Sequence, residues 1–142
     1  MTIEIDLFRT LVDRLFRWEE QDPDRPALYT RGPGGWEPRT WRQYGDSVRG
    51  VARGLVALGM RPGDRVAVIA RNRAEFLYAQ FGIGAAGGVP VPVYVTNTAE
   101  QAAGVVRHAG VRFAIVENDE QHRKLAEFRS TLPDLERVIL VD

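Results

Sequence analysis

Four segments of this chain begin with the same chemical signature, and it restricts the fold more than any other feature. The pairs are Thr40 with Gln43, Asn72 with Glu75, Thr98 with Gln101, and Asn118 with Gln121. In each, the first side chain can accept from a first-turn N–H, and the second can reach back to the cap's own N–H, the mark of a helix start. Short apolar runs separate these starts: "RVAVIA", the valine-rich run from Val89, "VRFAIVE" and "RVILVD". Strand, helix and strand repeating at intervals of about 23 residues predict crossover connections and a parallel sheet covered on both faces. The expected fold class is therefore α/β. The repeat is one of architecture; no residue-level repeat or low-complexity linker divides the chain, which is expected to form a single unit over residues 1–142.

Each helix has a legible face. Trp41, Tyr44, Val48, Val51, Ala52, Leu55 and Leu58 follow three- and four-residue spacing and line one side of the helix after Thr40. Gly59 is its expected C-cap, and "RPGD" the turn into the next strand. The helix near 73–86 is apolar almost all round, through Phe76, Leu77, Phe81 and Ile83, and is expected to be the most buried. Upstream, Leu7, Leu11, Leu15 and Trp18, flanked by Phe8 and Val12, predict an N-terminal helix stopped by "QDPDRP". Residues 27–31 and 36–40 predict a hairpin around "GPGG".

Two prolines interrupt the strand that starts at Val89. Pro90 and Pro92 stand two apart, so their missing N–H groups fall on the same side of the strand. A strand paired on both sides would lose ladder bonds there, so this one is expected at a sheet edge. Two readings of its use stay open. The prolines protect the edge from aggregation, or the strand's end presents "YVTNT" to a ligand, with Tyr94, Thr96 and Asn97 beyond the carboxyl end where open parallel sheets bind.

The candidate chemistry is thin. "GIGAAG" at 82–87 has the spacing of a dinucleotide-binding loop, but it ends a helix and precedes a strand, the reverse of what that loop requires; packing of helix against sheet is the expected role of its glycines. A Walker-type loop is excluded, because the only lysine, Lys124, lies between Arg123 and Leu125. His108 and His122 have no second histidine at metal-ligand spacing, and are expected to be solvated. Asp64 and Arg65 at the turn point to a structural ion pair or turn bond. No nucleophile, base and orienting group can be assembled, so no catalytic, cofactor-binding or metal site residue is assigned.

Composition narrows the classes further. Nineteen acidic and nineteen basic residues cancel, and no basic run interleaves with aromatics, so nucleic acid is not an expected partner. The absence of cysteine removes disulfides and thiolate chemistry and suits a cytoplasmic chain. "MTIEIDLFRT" has an acid where a signal peptide needs positive charge, so none is expected. Residues 76–99 carry no charge, yet Gln80, four glycines and two prolines break the stretch, which is expected to be a buried helix and strand rather than a membrane span.

From about Phe8 to Asp142 the order of pieces resembles the N-terminal portion of the AMP-forming acyl-CoA synthetases, within the adenylate-forming ligases. The pieces are "RTWRQYGDSVRGVARGLVALGMRPGDRVAVIARNRAEFLYAQFGIGAAGGVPVPVYVTNTAEQ", then "HAGVRFAIVEN" and "LPDLERVILVD", and they look most like the long-chain fatty acid group. The resemblance implies part of the large N-terminal domain of an enzyme that forms an acyl-adenylate with ATP and Mg²⁺ and passes the acyl group to coenzyme A. It also implies motifs that match no position here: the lysine-ended phosphate loop, the acidic Mg²⁺ and ribose contacts, and the C-terminal catalytic lysine. The chain is accordingly expected to be a partial AMP-binding domain, without activity or cofactor of its own. Its expected partner is the remainder of the ligase; the alternative is a non-catalytic module that binds another chain through the edge at Pro90 and Pro92 or through the last strand.

Overall fold

A computed structural model describes residues 10–141. They form two compact units that divide between Asp46 and Ser47.

The first unit opens with helix α1, Leu11–Gln21. Its start is a capping box that the sequence survey missed: the Thr10 N–H donates to the Asp13 carboxylate at 2.7 Å, and the Asp13 N–H donates to Thr10 Oγ1 at 3.2 Å. Leu7 and Phe8 lie outside the described residues. Of the expected apolar face Leu15 is buried, whereas Leu11 is exposed. Trp18 instead stacks on Trp41, which stacks on Tyr44, each pair with ring centroids 6.1 Å apart. The hairpin forms as expected: β1 (Pro26–Gly32) pairs antiparallel with β2 (Gly35–Thr40), and Gly35 takes the positive φ of 122° that the turn demands.

Helix α2 (Trp41–Ala57) runs across the division. Thr40 and Gln43 cap it reciprocally, at 3.0 and 3.3 Å. Then follow β3 (Arg65–Ile69), α3 (Ala74–Ala85), β4 (Val89–Pro92), α4 (Ala99–His108), β5 (Phe113–Val116), α5 (Asp119–Glu127), a 3-10 turn and β6 (Arg137–Leu140). The four strands of this unit are parallel, in the order β4-β3-β5-β6.

Strand alternation sorts the core into two layers. Val66, Val68, Phe113 and Ile115 face Leu55 of α2 and Ala79 and Ile83 of α3. Ala67, Ile69, Ala114 and Val116 face Ala102, Ala103 and Val106 of α4 and Leu125 of α5. The central strands are apolar on both sides because both sides are covered. β4 is an edge strand, as its prolines predict. Val89 and Val93 donate to Asp64 O and Val68 O at 2.8 and 2.9 Å, so the alternate positions, Pro90 and Pro92, turn away from the sheet.

Three local expectations need correction. Asn72 does not cap α3: the cap residue is Arg73, which makes no side-chain cap bond, and Glu75 takes the Arg73 guanidinium at 2.7 Å instead. An ion pair to the neighbouring arginine has displaced the reciprocal bond that the spacing suggests. Asn118 caps α5 from one side only: its Oδ1 accepts the Gln121 N–H at 3.1 Å, but the Gln121 side chain turns to Glu120. Gly82 packs against a helix rather than the sheet, since a Cβ there would lie 2.6 Å from the Val51 side chain of α2. The other two capping pairs stand, including Thr98 with Gln101 at 3.0 and 3.2 Å.

Candidate functional site at the carboxyl ends of the strands

Neighbouring strands β3 and β5 send their chains to opposite layers, β3 into α3 and β5 into α5. Such a divergence opens a crevice beyond the strand ends, which is where open α/β sheets take ligands. Glu117, the residue after β5, sits there only 4% exposed. Its carboxylate accepts the Arg71 backbone N–H at 2.7 Å and Asn118 Nδ2 at 3.4 Å, and the Arg71 guanidinium stands 3.6 Å away. A buried charge needs such donors, and here they tie the loop after β3 to the end of β5. Gln121, 2% exposed, sits in the first turn of α5, and its Oε1 has no protein partner.

Lys124 reaches back from α5 to the loop after β4. Its ammonium donates to Val95 O at 2.7 Å and lies 3.5 Å from Glu120. The only lysine of the sequence thus braces a loop, at 18% side-chain exposure. Tyr94, 80% exposed, stands just past β4, and a turn bond from the Asn97 N–H to Tyr94 O closes the loop at 3.1 Å. Thr96 is exposed and Asn97 half-buried; the donors to Glu117 come from Arg71 and Asn118 instead, so the "YVTNT" residues do not form one cluster with it.

The opposite, amino ends of the strands hold a stronger polar assembly. Arg112 grips Glu136 with two bonds, 2.6 Å from Nε and 2.9 Å from Nη2. Its Nη1 bonds the Asp64 carboxylate and reaches Gly59 O at 3.3 Å. Asp64 also accepts the Arg61 N–H at 2.7 Å, the turn bond the sequence suggests. Burial pushes the Asp64 carboxyl up, but the Arg61 N–H and the Arg112 guanidinium outweigh it and hold the acid below its ordinary value. The bonds from Arg112 likewise lower Glu136 against a smaller opposing effect of burial. This end of a parallel sheet is the one remote from ligands, so the assembly serves the fold. Arg112 and Glu117 escaped the sequence survey; the one available signal was an acid closing an apolar strand in "FAIVEN".

Among the described residues no group of three or more His, Asp or Glu side chains is placed to hold a metal ion. His108 and His122 are exposed on their helices. No helix of the described residues is long and apolar enough to cross a membrane. The geometry defines a scaffold of the open α/β class, without an assembled catalytic centre among those residues.

Comparison with known proteins gives that scaffold a family. The family model described as AMP-binding enzyme matches residues 15–142, and the chain belongs to that family. A long-chain-fatty-acid–CoA ligase, FadD15 of Mycobacterium bovis, is 32% identical over 127 residues, which are 89% of this chain and 21% of that protein. An uncharacterized protein of Mycobacterium tuberculosis, Rv1549, is 38% identical over 133 residues, 94% of this chain and 73% of that protein. Among solved structures, the anthranilate CoA ligase AuaEII in complex with anthranoyl-AMP superposes with a TM-score of 0.87 at 26% identity, over 97% of this chain and 26% of that one. The chain thus spans about a fifth of the FadD15 ligase and about a quarter of AuaEII. The resemblance to the N-terminal segment of the adenylate-forming ligases holds, and so does the α/β fold it implied.

Proposed function

We propose that this chain is the N-terminal portion of a long-chain fatty acid–CoA ligase and that it contributes scaffold, not chemistry. ATP, Mg²⁺ and coenzyme A would then be used by the whole ligase, with the rest of that polypeptide as the partner. The observation that carries the scaffold reading is the state of Lys124. Adenylate formation needs positive charge placed on the transferring phosphates, and the one ammonium available is spent on Val95 O and Glu120. What supports the ligase reading is the family match and the FadD15 similarity. The test is carboxylate-dependent ATP–pyrophosphate exchange by the purified 142-residue chain, with Mg²⁺ and a long-chain fatty acid. No exchange above a protein-free blank is expected, and exchange that scales with the protein would overturn the scaffold reading.

A second reading, a stand-alone module that binds another chain, is favoured by one observation: a relative, Rv1549, of which this chain covers 73%. Such a module would not use the β4 edge, because Pro90 and Pro92 leave it no outward donors for strand addition.

A further inference from the structure

The hairpin of the first unit has two faces of opposite character. Cross-strand partners share a face, so Tyr29 with Pro38 and Arg31 with Trp36 stand on one side, and Leu28 with Arg39 and Thr30 with Glu37 on the other. Glu37, the hairpin's one acid, lies over Gly32 on that second side and 3.5 Å from Arg39. The first side is open to solvent: Trp36 is 70% exposed, Tyr29 is 59% exposed, and Arg31 and Pro38 are exposed as well. Among the described residues neither ring stacks on another and Arg31 makes no ion pair. The polar groups of this face are almost all donors. An indole N–H and a guanidinium offer hydrogens and accept none, and only the Tyr29 hydroxyl can do both.

We infer that this face binds a proline-rich segment of another chain in the polyproline II conformation. The inference goes beyond both readings of the whole chain and rests on neither. Tyr29 and Trp36 are diagonal neighbours across the two strands, about 7–8 Å apart at the backbone. Unstacked rings rising from positions that far apart can clasp one aliphatic ring, since carbons rest about 3.5–4.0 Å apart on each side of it. The donors fix the chemistry of the partner. Prolines carry carbonyls but no N–H, and the polyproline II helix bonds none of its carbonyls internally, so such a segment supplies the acceptors that Arg31 and Trp36 call for. It also arrives already ordered, so a small contact suffices. A folded partner needs about 800 Å² of surface on each side, far more than four side chains of a two-stranded sheet present. An anionic bilayer draws on several cations, whereas this face has one, and acids outnumber arginines over residues 10–46.

The test is an NMR titration of the isotope-labelled 142-residue chain with a capped oligoproline of about ten residues, three turns of that helix. Saturable binding is expected below about 1 mM, with the Trp36 indole N–H signal shifting and those of Trp18 and Trp41 unmoved. A Gly-Ser peptide of the same length should shift nothing. Trp36→Ala and Tyr29→Ala should each weaken binding by about tenfold or more, and circular dichroism checks that each is folded. Should Trp36→Ala disturb the hairpin, Trp36→Thr, which keeps the preference for strand, decides. No saturation by about 1 mM, or binding that survives loss of both rings, overturns the inference. So does a chain that ignores oligoproline yet co-sediments through Trp36 with phosphatidylglycerol vesicles, which would make the face a lipid-binding one. The exchange assay contains no such peptide, so this inference and the ligase reading fail independently.

Discussion

Replacing Gly82 by alanine should destabilise the second unit even though alanine is the better helix former. Gly82 lies in α3 where that helix meets α2. A Cβ at this position would stand 2.6 Å from both Cβ and Cγ1 of Val51, and 3.1 Å from the Val48 carbonyl oxygen. Carbon atoms rest comfortably at about 3.5–4.0 Å, so something must move by roughly 1 Å. Rotation about χ1 could carry Val51 Cγ1 away, but Val51 Cβ is fixed to its helix, and the Val48 oxygen is backbone. The helices must therefore separate, which opens the layer around Leu55 and Ile83.

Overpacking of this kind costs about 1–3 kcal/mol, and the alanine returns about 1 kcal/mol through helix propensity. The net expectation is a loss of about 1–2 kcal/mol, on the order of 5–10 °C in Tm for a unit of this size. Urea unfolding followed by circular dichroism measures it. Gly54→Ala in α2 is the control, because nothing lies within 4 Å of the Cβ it would add, and it should gain roughly 0.5–1 kcal/mol. Placing Gly82→Ala on a Val51→Gly background, which removes the Cβ as well as the methyls, should erase most of its cost, a coupling visible in a double-mutant cycle. A Gly82→Ala protein as stable as wild type, or one whose loss is unchanged by Val51→Gly, would refute the close approach.

Two further measurements address the polar assemblies. Asp64 and Glu136 titrate below their ordinary values in the folded chain, so the unfolded chain binds protons more readily; their contribution is complete above the unfolded values near pH 4 and is lost as pH falls through the folded ones. Stability by urea unfolding should drop below about pH 4, and Asp64→Asn should flatten that drop; an unaltered acid limb in Asp64→Asn would show that the Arg112 assembly does not govern it. Capping gives the second contrast: Asn118→Ala should cost about 1 kcal/mol through the lost bond to the Gln121 N–H, whereas Asn72→Ala, which removes no cap bond, should stay within about 0.5 kcal/mol of wild type. Equal losses at the two sites would mean that capping is not what separates them.

The candidate site was far less legible than the fold. A tract such as "FAIV" reads as a strand because its period and residue types act over a few neighbours, and Thr98 reads as a cap because its bond spans three residues. Glu117 carries no comparable local mark. Its role depends on Arg71, which lies 46 positions away and meets it only when β3 and β5 pair. The Asn72 and Asn118 pairs show the limit of local signals as well, because nearby charged groups, Arg73 beside Glu75 and Glu120 beside Gln121, took the side chains that the spacing had promised to the cap.

The sequence by itself determined the kind and order of the elements from Thr40 onward, the parallel character of the sheet and the edge position of β4. Hydrophobic period, capping chemistry and the missing proline donors are properties of the chain read over short distances. Tertiary structure alone decided which strand became the other edge, which helix Gly82 touches, and that Arg112 would gather Gly59, Asp64 and Glu136 across 53, 48 and 24 positions of sequence. Those contacts are set by strand order, and strand order is a choice among pairings that local preferences leave equal until both core layers are filled.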